Sequence, residues 1–224
     1  MIEKPPASVE VGGVLYKVDT DFRTMIEIEN LITSKSVTER QEAFAKEIMQ
    51  YAPDVSFEEA SANAKYHEAL TLFYKGGIPE DLEGAIEKLV WFYGCGKPET
   101  SRNQGKQGKK PLYSYSHDFD YINAGFIQDY KLDLLEVESL HWWKFVSLFS
   151  ALRDDCKIRE IMGYRGADMK GMDKEQRKFV KEMKKRYALP EDVLTAEEEE
   201  LKNKLRDALL NGGDVSRILK SEKA

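Results

Sequence analysis

Two pairs of aspartates, Asp19-Thr20-Asp21 and Asp118-Phe119-Asp120, are the residues whose spacing could do chemistry, and His117 adjoins the second pair. Carboxylate oxygens brought together could hold a divalent metal, as a nuclease needs to activate water and neutralise phosphate charge. The same residues have a plainer use. Carboxylates at helix N-termini accept backbone N–H groups and complement the helix dipole. Thr20 and Ser116 suit the same purpose, and no third acidic cluster or catalytic lysine accompanies the pairs. Capping is the stronger reading.

Other reactive constellations are missing from the sequence. His67, His117 and His141 have no histidine or cysteine partner three or four residues on, so zinc binding is not expected. No serine sits in G-x-S-x-G, and Cys95 lies in Gly94-Cys95-Gly96 without a nearby histidine. Phosphate-loop and dinucleotide-binding glycine patterns do not occur. The expectation is a protein with no catalytic residue, no metal site and no cofactor.

Charge supplies one more possibility. Residues 94–111 carry Lys97, Arg102, Lys106, Lys109 and Lys110 against Glu99, with four glycines and no apolar period, which reads as a mobile basic loop. Lys174 to Arg186 holds seven basic residues against Glu175 and Glu182. Such segments near Tyr113, Tyr115 and Tyr187 could contact phosphates and bases. The net charge of -6 and pI near 5.3 argue the other way, so nucleic acid is not the expected partner.

These residues must be carried by a mainly helical scaffold. Val9–Val18 reads as an N-terminal β-hairpin around Gly12-Gly13, residues free to take the positive φ of a tight turn. Helix starts are marked by capping-box spacing at Ser36/Glu39 or Thr38/Gln41, at Ser56/Glu59 and at Thr195/Glu198. Pro79 suits a first helical position, with Leu82, Ile86, Leu89 and Tyr93 as one stripe before Gly94. Phe119, Ile122, Phe126 and Tyr130 form another. Between Leu140 and Leu152 only Lys144 is charged, and apolar residues cover most of the wheel, so this helix is expected in the middle of a bundle.

The fold class predicted is a helical bundle of roughly eight to ten helices with one hairpin. Residues 1–165 form the main domain and 166–224 a charged helical appendage hinged at Ala188-Leu189-Pro190. Its narrow stripes, Phe179, Met183 and Tyr187, then Leu201, Leu205 and Leu209, suit docking on a partner. Cys95 and Cys156 are too few for a disulfide framework, and no stretch approaches the roughly 18–20 apolar residues of a membrane span. The chain is expected to be soluble, with reduced thiols.

Five blocks taken in order resemble a known family. They are Val18-Asp-Thr-Asp-Phe-Arg23, Phe92-Tyr-Gly-Cys-Gly96, Tyr113 to Ile122, Ala124 to Asp133, and Leu140-His-Trp-Trp-Lys-Phe145. The chain is similar, over about Gly12 to Tyr164, to the bacteriophage Gp-fifteen family of siphophages, encoded just before the tape measure protein. The resemblance implies a non-enzymatic tail assembly chaperone, acting in the host cytoplasm. It would bind and solubilise the tape measure protein during tail morphogenesis and give way to the tail tube protein. Self-association into a homo-oligomer is also expected.

Under this reading Trp142, Trp143, Lys144, Phe145, Phe179, Met183, Leu201 and Leu205 are the expected partner or oligomer contacts, with core as the alternative place for Trp142, Trp143 and Lys144. Asp19, Asp21 and Arg23 fix the hairpin-to-helix junction, and His117, Asp118 and Asp120 fix a second junction. Two other functions stay open: a metal-dependent phage nuclease using the paired aspartates, and a structural tail protein retained in the virion.

Overall fold

A computed structural model describes residues 4–34, 36–97 and 111–190. Among them are one antiparallel hairpin and eight helices, a mainly α fold as the sequence predicted. The described residues fall into two compact units. The first holds residues up to 97 together with His141–Trp143; the second holds 111–140 and 144–190.

The first unit opens with β1 (Ser8–Val11) and β2 (Val14–Lys17), paired from Ser8↔Lys17 to Val11↔Val14. Gly12 and Gly13 have φ of +56° and +80°, the two successive positive values that a two-residue hairpin turn demands. Val9 and Val11 bury against the helices, while Val14 and Leu15 of β2 face outward. No third strand joins this sheet among the described residues.

Helices α1 (Phe22–Thr33), α2 (Glu39–Tyr51), α3 (Phe57–Phe73) and α4 (Leu82–Tyr93) follow. Thr38/Gln41 and Ser56/Glu59 both close reciprocal capping boxes, satisfying N–H groups that a bare helix start would orphan. α3 packs on α1 and α2 through Ala60, Ala64 and Ala69, whose small side chains let helix axes approach, and Phe22, Met25, Ile28 and Phe73 are in this core. Buried Lys65 donates from Nζ to the Ser34 carbonyl at 2.6 Å, and burial lowers its pKa.

α4 departs from expectation at its start. Asp81 is the N-cap, so Pro79 lies before the helix, and Leu82 is exposed. The buried face is Ala85, Leu89, Val90, Phe92 and Tyr93. Proline's preference for a first helical position pointed to Pro79, but the Asp81 carboxylate, accepting the Gly84 N–H, caps a helix that begins at Leu82.

The second unit contains α5 (Phe119–Tyr130), most of α6 (Trp142–Ser150), α7 (Lys157–Gly166) and α8 (Lys174–Arg186). Its centre is aromatic. Phe126 stacks on Phe145 with centroids 5.2 Å apart, Tyr115 meets Phe145 and Phe149 edge-on, and Tyr130 donates its hydroxyl to the Leu148 carbonyl. Gly125 lets this layer close: a Cβ there would stand 3.2 Å from a Leu152 methyl.

α6 is not apolar on all sides. Trp142, Phe145 and Phe149 point inward, whereas Lys144, Ser147 and Ser150 recur at every third residue and face solvent. α8 packs on α7 inside the second unit. Asp173 and Gln176 form its capping box, and Val180 and Met183 are its buried residues. Leu201, Leu205, Leu209, Thr195/Glu198 and most of the basic loop lie outside the described residues.

Candidate functional site

In the first unit the chain concentrates its aromatic and glycine blocks at one corner, the C-terminus of α4. Gly96 N–H donates to the Trp91 carbonyl and Cys95 N–H to the Phe92 carbonyl, the paired bonds of a Schellman turn. Cys95 occupies the left-handed position with φ +59°, where glycine is usual. Thus Gly94–Gly96, expected as the beginning of a loop, is a formed helix end.

Two tryptophans complete it. Trp142 Nε1 donates to the Tyr93 carbonyl at 2.7 Å, and Trp143 Nε1 donates to the Phe92 carbonyl at 2.8 Å. Carbonyls at a helix C-terminus lack intrahelical donors, and consecutive indoles supply them from about fifty positions further along the chain. Gly96 is required by this arrangement: a Cβ would approach the Trp143 ring to 2.8 Å, at φ +67°. Trp143 also meets Trp91 edge-to-face at 5.5 Å. Trp91 is 40% exposed, so an uncharged aromatic edge reaches solvent here.

The Asp19–Arg23 block meets the same corner. Trp142 N–H donates to the Thr20 carbonyl at 2.7 Å, and Asp21 bridges to His141. His141 Nδ1 accepts the Trp143 N–H, which leaves Nε2 as the donor to the Pro6 carbonyl. Asp21 is the N-cap of α1 and accepts the Arg23 N–H; Asp19 accepts the Asp21 N–H and pairs with Lys75 at 3.1 Å. Thr20, a candidate cap, contributes its carbonyl instead.

In the second unit Asp118 occupies the N-cap position of α5 but makes no side-chain bond to that helix. Its oxygens receive both terminal nitrogens of Arg165, at 2.6 and 2.8 Å, and the Ser114 N–H. Ser116 does not cap the helix, His117 and Asp120 face solvent, and the His117 N–H binds Ser114 Oγ. Among the described residues no three histidine, cysteine or acidic side chains gather as a metal site would need. Each aspartate except Asp120 already has a structural partner.

A second buried carboxylate was not anticipated. Asp129 accepts the Arg153 N–H at 2.9 Å and the Arg153 Nε at 2.7 Å, and these bonds hold its carboxyl below the usual range. It also accepts the Cys156 thiol at 3.3 Å. Burial first, then this carboxylate, pushes the thiol up to about 11.

Among the expected partner contacts, Trp142, Phe145 and Met183 are buried in their own units, Trp143 is half-buried, and Lys144 and Phe179 are exposed. A fully buried ring cannot touch another chain without unfolding. Outward apolar residues lie elsewhere. On α5 they are Tyr121, Ala124 and Ile127, one every three residues, interleaved with Asp120, Gln128 and Lys131. Tyr121 is 38% exposed and Ile127 40%; Leu135, in the turn beyond the helix, reaches 70%. The inner stripe of α5 fills the core, and its outer face carries this apolar row among polar residues. The sequence signal was present in this second row, but the dense block around Trp142 overshadowed it.

The sequence matches the family described as bacteriophage Gp15 protein over residues 1–189. The chain belongs to this family. Neither the curated proteins nor the solved structures contain a significant match.

Proposed function

We propose that this phage protein is a non-enzymatic tail assembly chaperone that binds and solubilises the tape measure protein in the host cytoplasm. The tail tube protein would displace it, and copies of the chain would associate as a homo-oligomer. The observation that carries this reading is the exposed apolar row on the outer side of α5. A helix facing only core and water needs one apolar face; Tyr121, Ala124 and Ile127 add an exposed apolar row on the other side, set among Asp120, Gln128 and Lys131. Such a row fits the apolar stripe of a partner helix. Family membership supports a phage role and leaves the partner to experiment.

A long helical polypeptide presents repeated apolar stripes that aggregate when bare. A chaperone must cover them yet release them to the tube, so its contacts should be modest in area and edged with charge. Single rows on α5, together with isolated outward residues such as Leu135, meet that requirement better than one large hydrophobic patch.

The test is co-expression with the tape measure protein of the same phage. A soluble complex is expected, and Tyr121→Glu with Ile127→Glu should leave the chain folded while the tape measure protein precipitates. Two proteins that stay soluble separately and never co-purify would remove the proposal.

A further inference from the structure

We infer that the outward face of α8 docks the acidic face of an α-helical protein segment. The inference rests on α8 itself and holds whether or not the partner is a tape measure protein.

At about 100° per residue, Lys174, Arg177, Lys178, Lys181 and Lys185 share an arc of roughly 100°, centred opposite the buried Val180 and Met183. All five are exposed. Glu175 and Glu182 lie together beside this arc, and none of the basic side chains of α8 forms an ion pair among the described residues. Lys174/Lys178, Arg177/Lys181 and Lys181/Lys185 are like-charge neighbours four residues apart, an arrangement that disfavours the helix.

The helix is nevertheless held firmly. The Asp173/Gln176 box closes its start, Phe179 meets Tyr164 edge-on, and Arg165 Nε donates to the Tyr187 carbonyl at 2.6 Å just beyond its end. The repelling charges are thus fixed in place by contacts made elsewhere on the helix. The backbone that carries the array is ordered before binding, which removes that part of the ordering cost, and an anionic ligand would relieve the repulsion.

Two polyanions could do this, and the geometry favours protein. From Lys174 to Lys185 the cations run about 16 Å along one straight flank, with the three- and four-residue spacing of carboxylates on a second helix. The arc holds four lysines to one arginine and no ring on which a base could stack; Phe179 lies outside it, against Tyr164. A nucleic acid would also extend past α8 along a chain whose net charge is -6.

The full chain can be titrated by fluorescence anisotropy with a stapled helical peptide carrying glutamates at i, i+4, i+7 and i+11. The controls are a peptide of the same composition with those positions scrambled, and a DNA duplex of about 20 base pairs. The registered peptide should bind about tenfold more tightly than the scrambled one and should weaken as salt rises. Replacing Lys174, Lys178, Lys181 and Lys185 by glutamine should cost at least about tenfold with the circular dichroism unchanged, since both residues suit helices. If that variant fails to fold, Lys181→Glu alone should still weaken binding. Equal binding of both peptides, tighter binding of the duplex, or affinity that survives the substitutions would overturn the inference.

Discussion

Arg165 grips Asp118 with both terminal nitrogens, across 47 residues of sequence, where the two side chains are only 7% and 1% exposed. The same guanidinium donates to the Leu112 and Tyr187 carbonyls. One side chain therefore ties the segment before α5 to the end of α8. Removing either partner leaves a buried charge without compensation.

Asp118→Ala should accordingly destabilise the protein by about 3–5 kcal/mol in urea unfolding. Replacing both partners with apolar residues, Asp118→Leu with Arg165→Met, should recover much of that loss. If Asp118→Ala is nearly neutral, the pair is not the buried strut described above.

The corner at α4 separates the two indoles by how deeply each is buried. After Trp143→Phe the Phe92 carbonyl keeps the Cys95 N–H, so a cost of about 1 kcal/mol is expected. Trp142→Phe withdraws the indole bond from the Tyr93 carbonyl and also opens space around a ring that is 1% exposed. Its cost should be larger, about 2–4 kcal/mol. Thermal unfolding that ranks the two in the opposite order would contradict this account.

Cys95 holds a left-handed conformation that costs an L-residue about 1–2 kcal/mol, partly offset in glycine by backbone entropy. Cys95→Gly should therefore stabilise by roughly 0.5–1 kcal/mol, and Cys95→Ala should not. Gly96→Ala, one position on, should lower the melting temperature because the added methyl meets Trp143.

Cys156 makes a pH prediction. The unfolded thiol releases its proton near 9.0, whereas the folded one keeps it to about 11. The folded state then binds more protons across that window, so stability is full below 9 and falls as pH rises toward 11. The difference in stability between the parent and Cys156→Ala should be constant below pH 8.5 and shrink above it. A thiol-reactive dye at pH 8 should label Cys95 first.

Much of the fold was legible because it is written locally. Gly12-Gly13 specified the hairpin, and Thr38/Gln41 and Ser56/Glu59 marked helix starts through bonds made within four residues. Asp173/Gln176 carries the same signature and could have been read as well. The interaction site was less legible. A tryptophan in a sequence declares bulk, so Trp142 and Trp143 pointed to a partner, while their indole N–H groups are spent on α4. Arg165 and Arg153 gave no sign of their roles, since nothing near them in the chain predicts which carboxylate they will meet.

Among the described residues, the last to join the first unit are three that arrive late. His141–Trp143 belong to it, though the rest of its described residues end at Lys97. At ribosomal rates of about 5–20 residues per second, roughly 2–10 s pass between the emergence of α4 and that of the indoles that seal it. During this interval the Phe92 and Tyr93 carbonyls lack their distant donors, and the nascent N-terminal half waits, incomplete, for a piece of itself still being made. A fragment cut after residue 97 would remain in that state permanently.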